Sequence, residues 1–497
     1  MAEEKKELSS TGGLDASMEF SDFEKLLNEE FKPKSEEANQ AVQGAVKTLL
    51  SQAMENANLV KGDVLNTIEG IIAELDKKLS DQVNQIIHHE DFQNLESAWR
   101  GLSYLVNNTA SSESLKIKVL NVSKKDLAKT LKKYKGTAWD QSPVFKKIYE
   151  DEYGTAGGEP FGALIGDYYF NQTAPDIELM KSIAQIAAAS HAPFIASADP
   201  SMLNLDSWQE LANPRDLSKI FSTPEYAAWR SFRESEDSRY VALTLPRVLS
   251  RAPYDITNNP IEEFAFTEDT GSGDSKKYAW MNAAYGMGVN INRSFAEYGW
   301  CARIRGVESG GIVESLPTHT FPSDDGGMAV KCPTEIAITD RREAELSKNG
   351  FLPLCYWKNT DYAVFLGGQT VNKPHEYDNP DATANANLSA RLPYIFAVSR
   401  FAHYLKCIVR DKIGSFKERA DMQNWLSNWI NNYVTSDPNA SEEVKAKYPL
   451  AEAKVEVEDI EGQPGYYNAK FYMRPHYQLE GLTTSLRLVS KLPSGQK

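Results

Sequence analysis

The sequence predicts a mixed α/β (α+β) fold, with a helical N-terminal arm, a central α/β body, and C-terminal helices followed by strands. Three observations predict it. Up to about residue 107, apolar side chains recur at spacings of three and four, the mark of amphipathic helices. Between 115 and 245, short strand-like runs alternate with helical ones. Beyond 390, two helical patterns give way to alternating segments punctuated by Gly462, Gly465 and Gly481.

Residues 1–16 are polar and acidic, a composition that does not support a packed core. A short amphipathic helix follows. Ser21 and Glu24 have capping-box spacing, Phe23, Leu27 and Phe31 share a face with Leu26 beside them, and Pro33 stops the helix. Alone it is too short to be stable, so it reads as a docking peptide. Two longer helices are expected at 36–57 and 64–87. The second carries a near-regular stripe of Ile68, Ile72, Leu75, Leu79, Val83 and Ile86. A third follows His88 and His89, with Asp91 as its expected cap. Phe92, Leu95, Trp99, Leu102 and Val106 form its apolar packing face, and Glu96 lies four residues before Arg100, as suits a surface ion pair.

In the body, 115–122 alternates as a strand does. Helices are expected at 124–134, 143–153 and 176–190, and strands at 161–170, 193–198 and 240–245, a βαβ-like order. Stretches 253–275 and 366–390 are rich in Asn, Asp, Gly and Pro and are expected to be surface loops. A long helix is predicted at 391–413, and a second carries Trp425, Trp429 and Tyr433. Strands then follow at 454–457, 468–474 and 482–489. The expected divisions are an arm at 1–60, a body at 61–380 and a C-terminal region at 381–497.

Composition narrows the function. Against 54 Lys and Arg stand 69 Asp and Glu, a formal charge of −15. That argues against general nucleic-acid binding, which needs a basic surface. The four cysteines form no CxxC, so neither a zinc site nor a redox pair is indicated, and reduced thiols of a cytosolic protein are expected. The N-terminus lacks the apolar run of a secretory leader, and no run is long enough to span a membrane.

No stretch carries convincing chemistry. His88 and His89 diverge by about 100° on a helix and suit a helix end better than a shared metal ion. The glycine pairs complete neither a P-loop nor a dinucleotide fingerprint. Asp340, Glu343 and Glu345, beside Arg341 and Arg342, read as a charged helix face. No GxSxG elbow supports a serine nucleophile. Residues 301–317 mix charges and glycines in a strand-and-loop pattern, open to two readings: an interface patch that orders on assembly, or an ordinary strand and turn. No catalytic, cofactor or metal site is expected.

The string from His88 to Leu102 resembles a signature of the large sheath subunit of bacterial type VI secretion systems, a contractile, phage-tail-like machine. Segments 91–105, 303–317, 331–351, 391–413 and 486–493 resemble that family in the same order. The resemblance implies a contractile-tail sheath fold and no cofactor. Its implied partners are a small sheath subunit, neighbouring protomers, an inner tube protein, a baseplate and an AAA+ unfoldase, in the bacterial cytoplasm. It makes Phe23, Leu26, Leu27 and Phe31 the unfoldase-docking residues, and Phe92, Leu95, Trp99, Arg100 and Leu102 the packing signature. Leu482, Leu486 and Leu488 become an inter-subunit strand, and 381–497 the tube-facing domain. The alternatives are a sheath of another contractile injection particle or a cytosolic carbohydrate-active enzyme.

Overall fold

The computed structural model describes Gln40, Gly44 and residues 64–213, 216–271, 273–322, 326–415, 418–461 and 465–479. The chain divides into two compact units, one of residues 1–86 with 254–268 and one of 87–253 with 269–497. The first contains most of helix α1 (Val64–Ile87), at the expected place. Within this unit Asn84 donates to the Thr267 carbonyl at 3.4 Å. Phe266 and Glu268 are buried, so 253–275 is not wholly the surface loop expected.

The second unit opens with α2 (Glu90–Asn107) and α3 (Lys124–Lys133), then builds β1 (Leu164–Phe170), α4 (Ala174–Ser190), β2 (Phe194–Ala198) and β3 (Val241–Leu245). Next come a short pair, β4 (Val248–Leu249) with β5 (Trp280–Met281), then α5 (Ala284–Tyr298) and β6 (Ile312–Val313). A second short pair, β7 (His319–Pro322) with β8 (Met328–Lys331), precedes α6 (Asp340–Lys348), β9 (Leu352–Tyr356) and β10 (Ala363–Phe365). The central sheet has the order β1-β2-β3-β9-β10-β6. Its first four strands are parallel, and β10 runs antiparallel to both β9 and β6.

Strands β2 and β3 are buried at every position, as expected of a parallel sheet covered on both faces. Their alternate residues enter different cores. Phe194, Ala196, Val241 and Leu243 meet α4 through Ile177, Met180 and Ala184. Ile195 and Ala242 meet α5 through Ala284, Met287 and Ile291. On the α5 face Ser197 and Thr244 hydroxyls bond at 2.7 Å, and Ser197 also donates to Asn282 at 2.6 Å.

The C-terminal region holds α7 (Pro380–Ser389), α8 (Leu392–Asp411), α9 (Arg419–Asn431), α10 (Glu442–Lys447) and the antiparallel hairpin of β11 (Leu450–Asp459) and β12 (Tyr467–Pro475). Val455 and Val457 pack against Leu426 and Ile430 of α9 and Phe401 of α8, whose ring stacks on Trp300 at 4.4 Å.

Several expectations need correction. Residues 115–122 join no sheet among the described residues. Stretch 366–390 is not a loop throughout. Asn379 accepts from the Asp381 backbone N–H and caps α7, while Thr370, Val371 and Asn372 are buried. The Asn-Pro-Asp composition that reads as a turn is also cap chemistry. Residues 143–153 are helical, but as one α turn followed by π-helix at Lys146–Gly154.

Candidate assembly surface

Helix α2 starts one residue before its expected cap. His89, not Asp91, is the N-cap, and its Nδ1 accepts from the Asp91 backbone N–H at 3.3 Å. The neighbouring histidines therefore belong to the start of α2 rather than to a favourable charge at the end of α1.

Among the described residues α2 packs mainly by a face other than the one expected. Its buried positions are Ser97, Gly101 and Leu105, four apart. A side chain at Gly101 would put its Cβ 2.3 Å from the Tyr285 ring of α5, so this glycine sets the close approach of the helices. Leu105 completes the contact with Tyr285 and Val289. Trp99 lies two residues from both Ser97 and Gly101, about 200° round the helix. Hence Leu95 is 58% exposed and Trp99 66%, with Phe92 and Val106 also outside and Leu102 half-buried. The apolar stripe is an open surface, because small residues won the contact with α5.

Polar bonds hold the buried edge. Glu96 was expected to make a surface pair with Arg100, and does meet Arg100 Nε at 2.7 Å. It also takes both ends of the Arg251 guanidinium, at 2.6 Å from Nε and 3.2 Å from Nη2. Glu96 and Arg251 side chains are 11% and 7% exposed, so this is a buried clamp. Burial alone would push the Glu96 carboxyl up, but its bonds to Arg251 and Arg100 outweigh burial and hold it below the usual carboxylate range. Tyr104 donates to the Glu314 carbonyl at 2.6 Å, and Gln93 to the Lys276 carbonyl at 3.0 Å.

Beside the open stripe runs a groove of about 860 Å³. Leu95, Trp99 and Leu102 form one side, residues 113–122 another, and Phe161, Phe396 and Arg400 contribute to the rest. Val119 and Leu120 are 66% and 53% exposed. Cys301 also lines it, its thiol pushed up to about 12 by burial and so un-ionised.

The other expected sites resolve in different ways. Residues 301–317 form an ordered turn that leads into β6 of the sheet. Gly306 donates to the Phe365 carbonyl at 2.7 Å, Gly311 to Gly306 at 2.8 Å, and Phe365 to Gly311 at 2.9 Å. Gly310 has φ of 81°, and a Cβ there would stand 2.4 Å from the Arg303 carbonyl oxygen. Asp340, Glu343 and Glu345 do lie on a helix. Glu345 bonds Arg342 at 2.7 Å and accepts from the Leu217 backbone at 2.7 Å, and Glu343 accepts from Ser347 at 2.7 Å, so these two glutamates form local bridges. No group of three or more His, Cys, Asp or Glu among the described residues is placed to hold a metal ion. No described helix is long and apolar enough to cross a membrane. Phe23, Leu26, Leu27 and Phe31, and Leu482, Leu486 and Leu488, lie outside the described residues.

Arg251 and Tyr285 were missed by sequence reasoning. Gly101 in mid-helix was the available signal for a close neighbour, whereas nothing links Arg251 to a carboxylate 155 residues earlier.

Two sequence models match the chain: the EvpB/VC_A0108 tail sheath N-terminal domain over residues 69–372, and the EvpB/VC_A0108 tail sheath gpW/gp25-like domain over 381–492. The chain is 66% identical over 478 residues to the type VI secretion system sheath protein TssC1 of Pseudomonas aeruginosa, covering 96% of each protein. Among solved structures it is similar to a chain of the anti-feeding prophage baseplate, at 12% identity and a TM-score of 0.38, covering 78% of this chain and 86% of that one. It is also similar to a chain of the contracted anti-feeding prophage sheath, at 12% identity and a TM-score of 0.29, covering 62% and 66%. On the domain match and the identity to TssC1, this chain belongs to the EvpB/VipB family of type VI secretion tail-sheath proteins.

Proposed function

We propose that this sheath protein is the large subunit of a contractile tube. It pairs with a small sheath subunit, stacks with neighbouring protomers around an inner tube on a baseplate, and contracts in the bacterial cytoplasm to propel that tube. The observation that carries the reading is the open apolar face of α2 with its groove. An exposed patch of large apolar side chains on a folded chain marks an interaction surface. The work would come from the free-energy difference between two lattices, with no bond made or broken, no cofactor, no nucleic acid and no membrane insertion.

In this reading 1–60 is an arm, 61–380 the sheath body and 381–497 the tube-facing domain. Leu482, Leu486 and Leu488 lend a strand to a neighbour, as an unpaired edge invites. Phe23, Leu26, Leu27 and Phe31 present an apolar helix face in acidic surroundings to an AAA+ unfoldase. Leu27→Asp should leave assembly and one firing intact while blocking recycling, and unfoldase binding that survives the change would remove that role. Negative-stain microscopy of the chain co-expressed with the small subunit tests the whole proposal. Hollow tubules with cogwheel ends are expected, and a discrete monomer under those conditions would refute it.

A further inference from the structure

Beyond the β11–β12 hairpin the chain is held to the body at one side chain. β12 ends at Pro475, and a bond from the His476 N–H to the Pro449 carbonyl, at 3.1 Å, closes the hairpin. Tyr477 and Leu479 then face out, 62% and 77% exposed. Gln478 between them turns inward, as alternation along an extended segment allows. Its Oε1 accepts from Arg305 Nε at 2.7 Å, and its Nε2 donates to the Ala302 carbonyl at 2.8 Å. Its backbone N–H donates to the Tyr394 hydroxyl at 3.0 Å. The Leu479 carbonyl accepts from Arg305 Nη2 at 3.4 Å.

A carboxamide suits this seat. A guanidinium only donates and a peptide carbonyl only accepts, so the glutamine offers one group to each. Arg305 and Tyr394 are both buried, and a bond to a buried charged donor is the stronger kind. The seat belongs to the 301–317 turn, for which the sequence leaves two readings open. That turn is sewn to β10, since Gly306 donates to the Phe365 carbonyl and the Phe365 N–H to the Gly311 carbonyl. Tyr394 lies in the first turn of α8, whose Leu392 and Phe396 enter the same core as Phe365. A pull on Gln478 therefore reaches the central sheet without passing through the two-stranded hairpin, which alone would be a weak support.

We propose that Gln478 is the anchor of the C-terminal tail, a positioning residue that fixes the point from which residues 480–497 continue and passes load on that tail into the central sheet. The inference rests on the assembly reading above, in which Leu482, Leu486 and Leu488 pair with a neighbouring protomer, and adds where this chain takes up the pull. The bonds of the seat converge on one residue and its neighbour, so they resist together. A hairpin pulled from its end would open one bond at a time.

The test uses the full chain co-expressed with the small subunit. Purified tubules of the native chain and of Gln478→Ala are sheared under one fixed flow, and their lengths are measured by negative-stain microscopy. Gln478→Ala should assemble, keep the amide protection of β2, and break into shorter fragments than the native chain. Amides of residues 301–311 should exchange about tenfold faster in these tubules, as loss of one charge-assisted bond predicts. Gln478→Glu, which keeps an acceptor for Arg305, should recover part of the length. Native fragment lengths for Gln478→Ala would overturn the anchor. So would shortening with an equal loss of protection in β2, the mark of an unstable subunit. Where Gln478→Ala yields no tubules, Tyr394→Phe decides, because it removes only the hydroxyl: shortened tubules support the anchor and native lengths overturn it. In each of these cases the assembly reading stands. If the native pair forms no tubules, both fall together.

Discussion

Strand β2 and the stretch 116–121 contrast in backbone satisfaction among the described residues. β2 has parallel neighbours on both sides, and its alternate side chains enter separate cores above and below the sheet. Residues 116–121 form no ladder with any described residue, and Val119 and Leu120 face out. Their sequences differ little in strand character, so what separates them is the supply of partners. A strand-competent segment with described partners on both sides becomes core, whereas one without them stays outside the sheets. Helix α2 shows both conditions at once. Its Ser97–Gly101–Leu105 edge is packed and clamped by Arg251, while its Leu95–Trp99 edge is open.

Four measurements can break or sharpen this contrast. The largest effect is expected on the closed edge. Glu96→Ala leaves buried Arg251 without its carboxylate and should cost about 3–5 kcal/mol in urea unfolding; a loss under about 1 kcal/mol would show that the clamp is dispensable.

Acid should act next. His403 is buried, its Nε2 donating to the Ser190 carbonyl at 2.8 Å, and burial pushes its pKa from 6.5 to about 4. The unfolded chain therefore binds this proton first, and stability falls as the pH drops from about 6.5 towards 4, by about 3 kcal/mol at roughly 1.4 kcal/mol per pH unit. Glu96, whose carboxyl is held low by its arginines, adds loss in the same direction at lower pH still, as it protonates in the folded state. His403→Gln, which keeps a donor for Ser190, should flatten the profile between 6.5 and 4; an unchanged slope in thermal melts would place the sensitivity elsewhere.

Ile195→Val, one methylene removed from β2, should cost about 1 kcal/mol. Val119→Ala should stay within about 0.5 kcal/mol in the free chain, and so should lie below Ile195→Val by urea unfolding. Equal losses would mean that 116–121 is packed after all.

The elements were largely legible in the sequence because they depend on local period. The βαβ order, α8 and the hairpin strands all appear close to their expected residues. What failed was the question of which apolar face finds a partner. The stripe of Phe92, Leu95 and Trp99 is larger and more regular than Ser97, Gly101 and Leu105, yet the small residues allow the Tyr285 ring to approach. Periodicity identifies a face and is silent about its neighbour. The same holds for 115–122, where alternation announces strand competence but a ladder needs a second strand. The Glu96–Arg251 bond was illegible for a related reason, since its partners are distant in sequence.

Amide hydrogen exchange, followed on the free chain and on purified tubules, tests the central contrast most directly. The account predicts that β2 amides are protected in both, and that amides of 116–121 exchange fast in the free chain and slowly in the tubule. Protection of 116–121 in the free chain, or fast exchange there in the tubule, would contradict it.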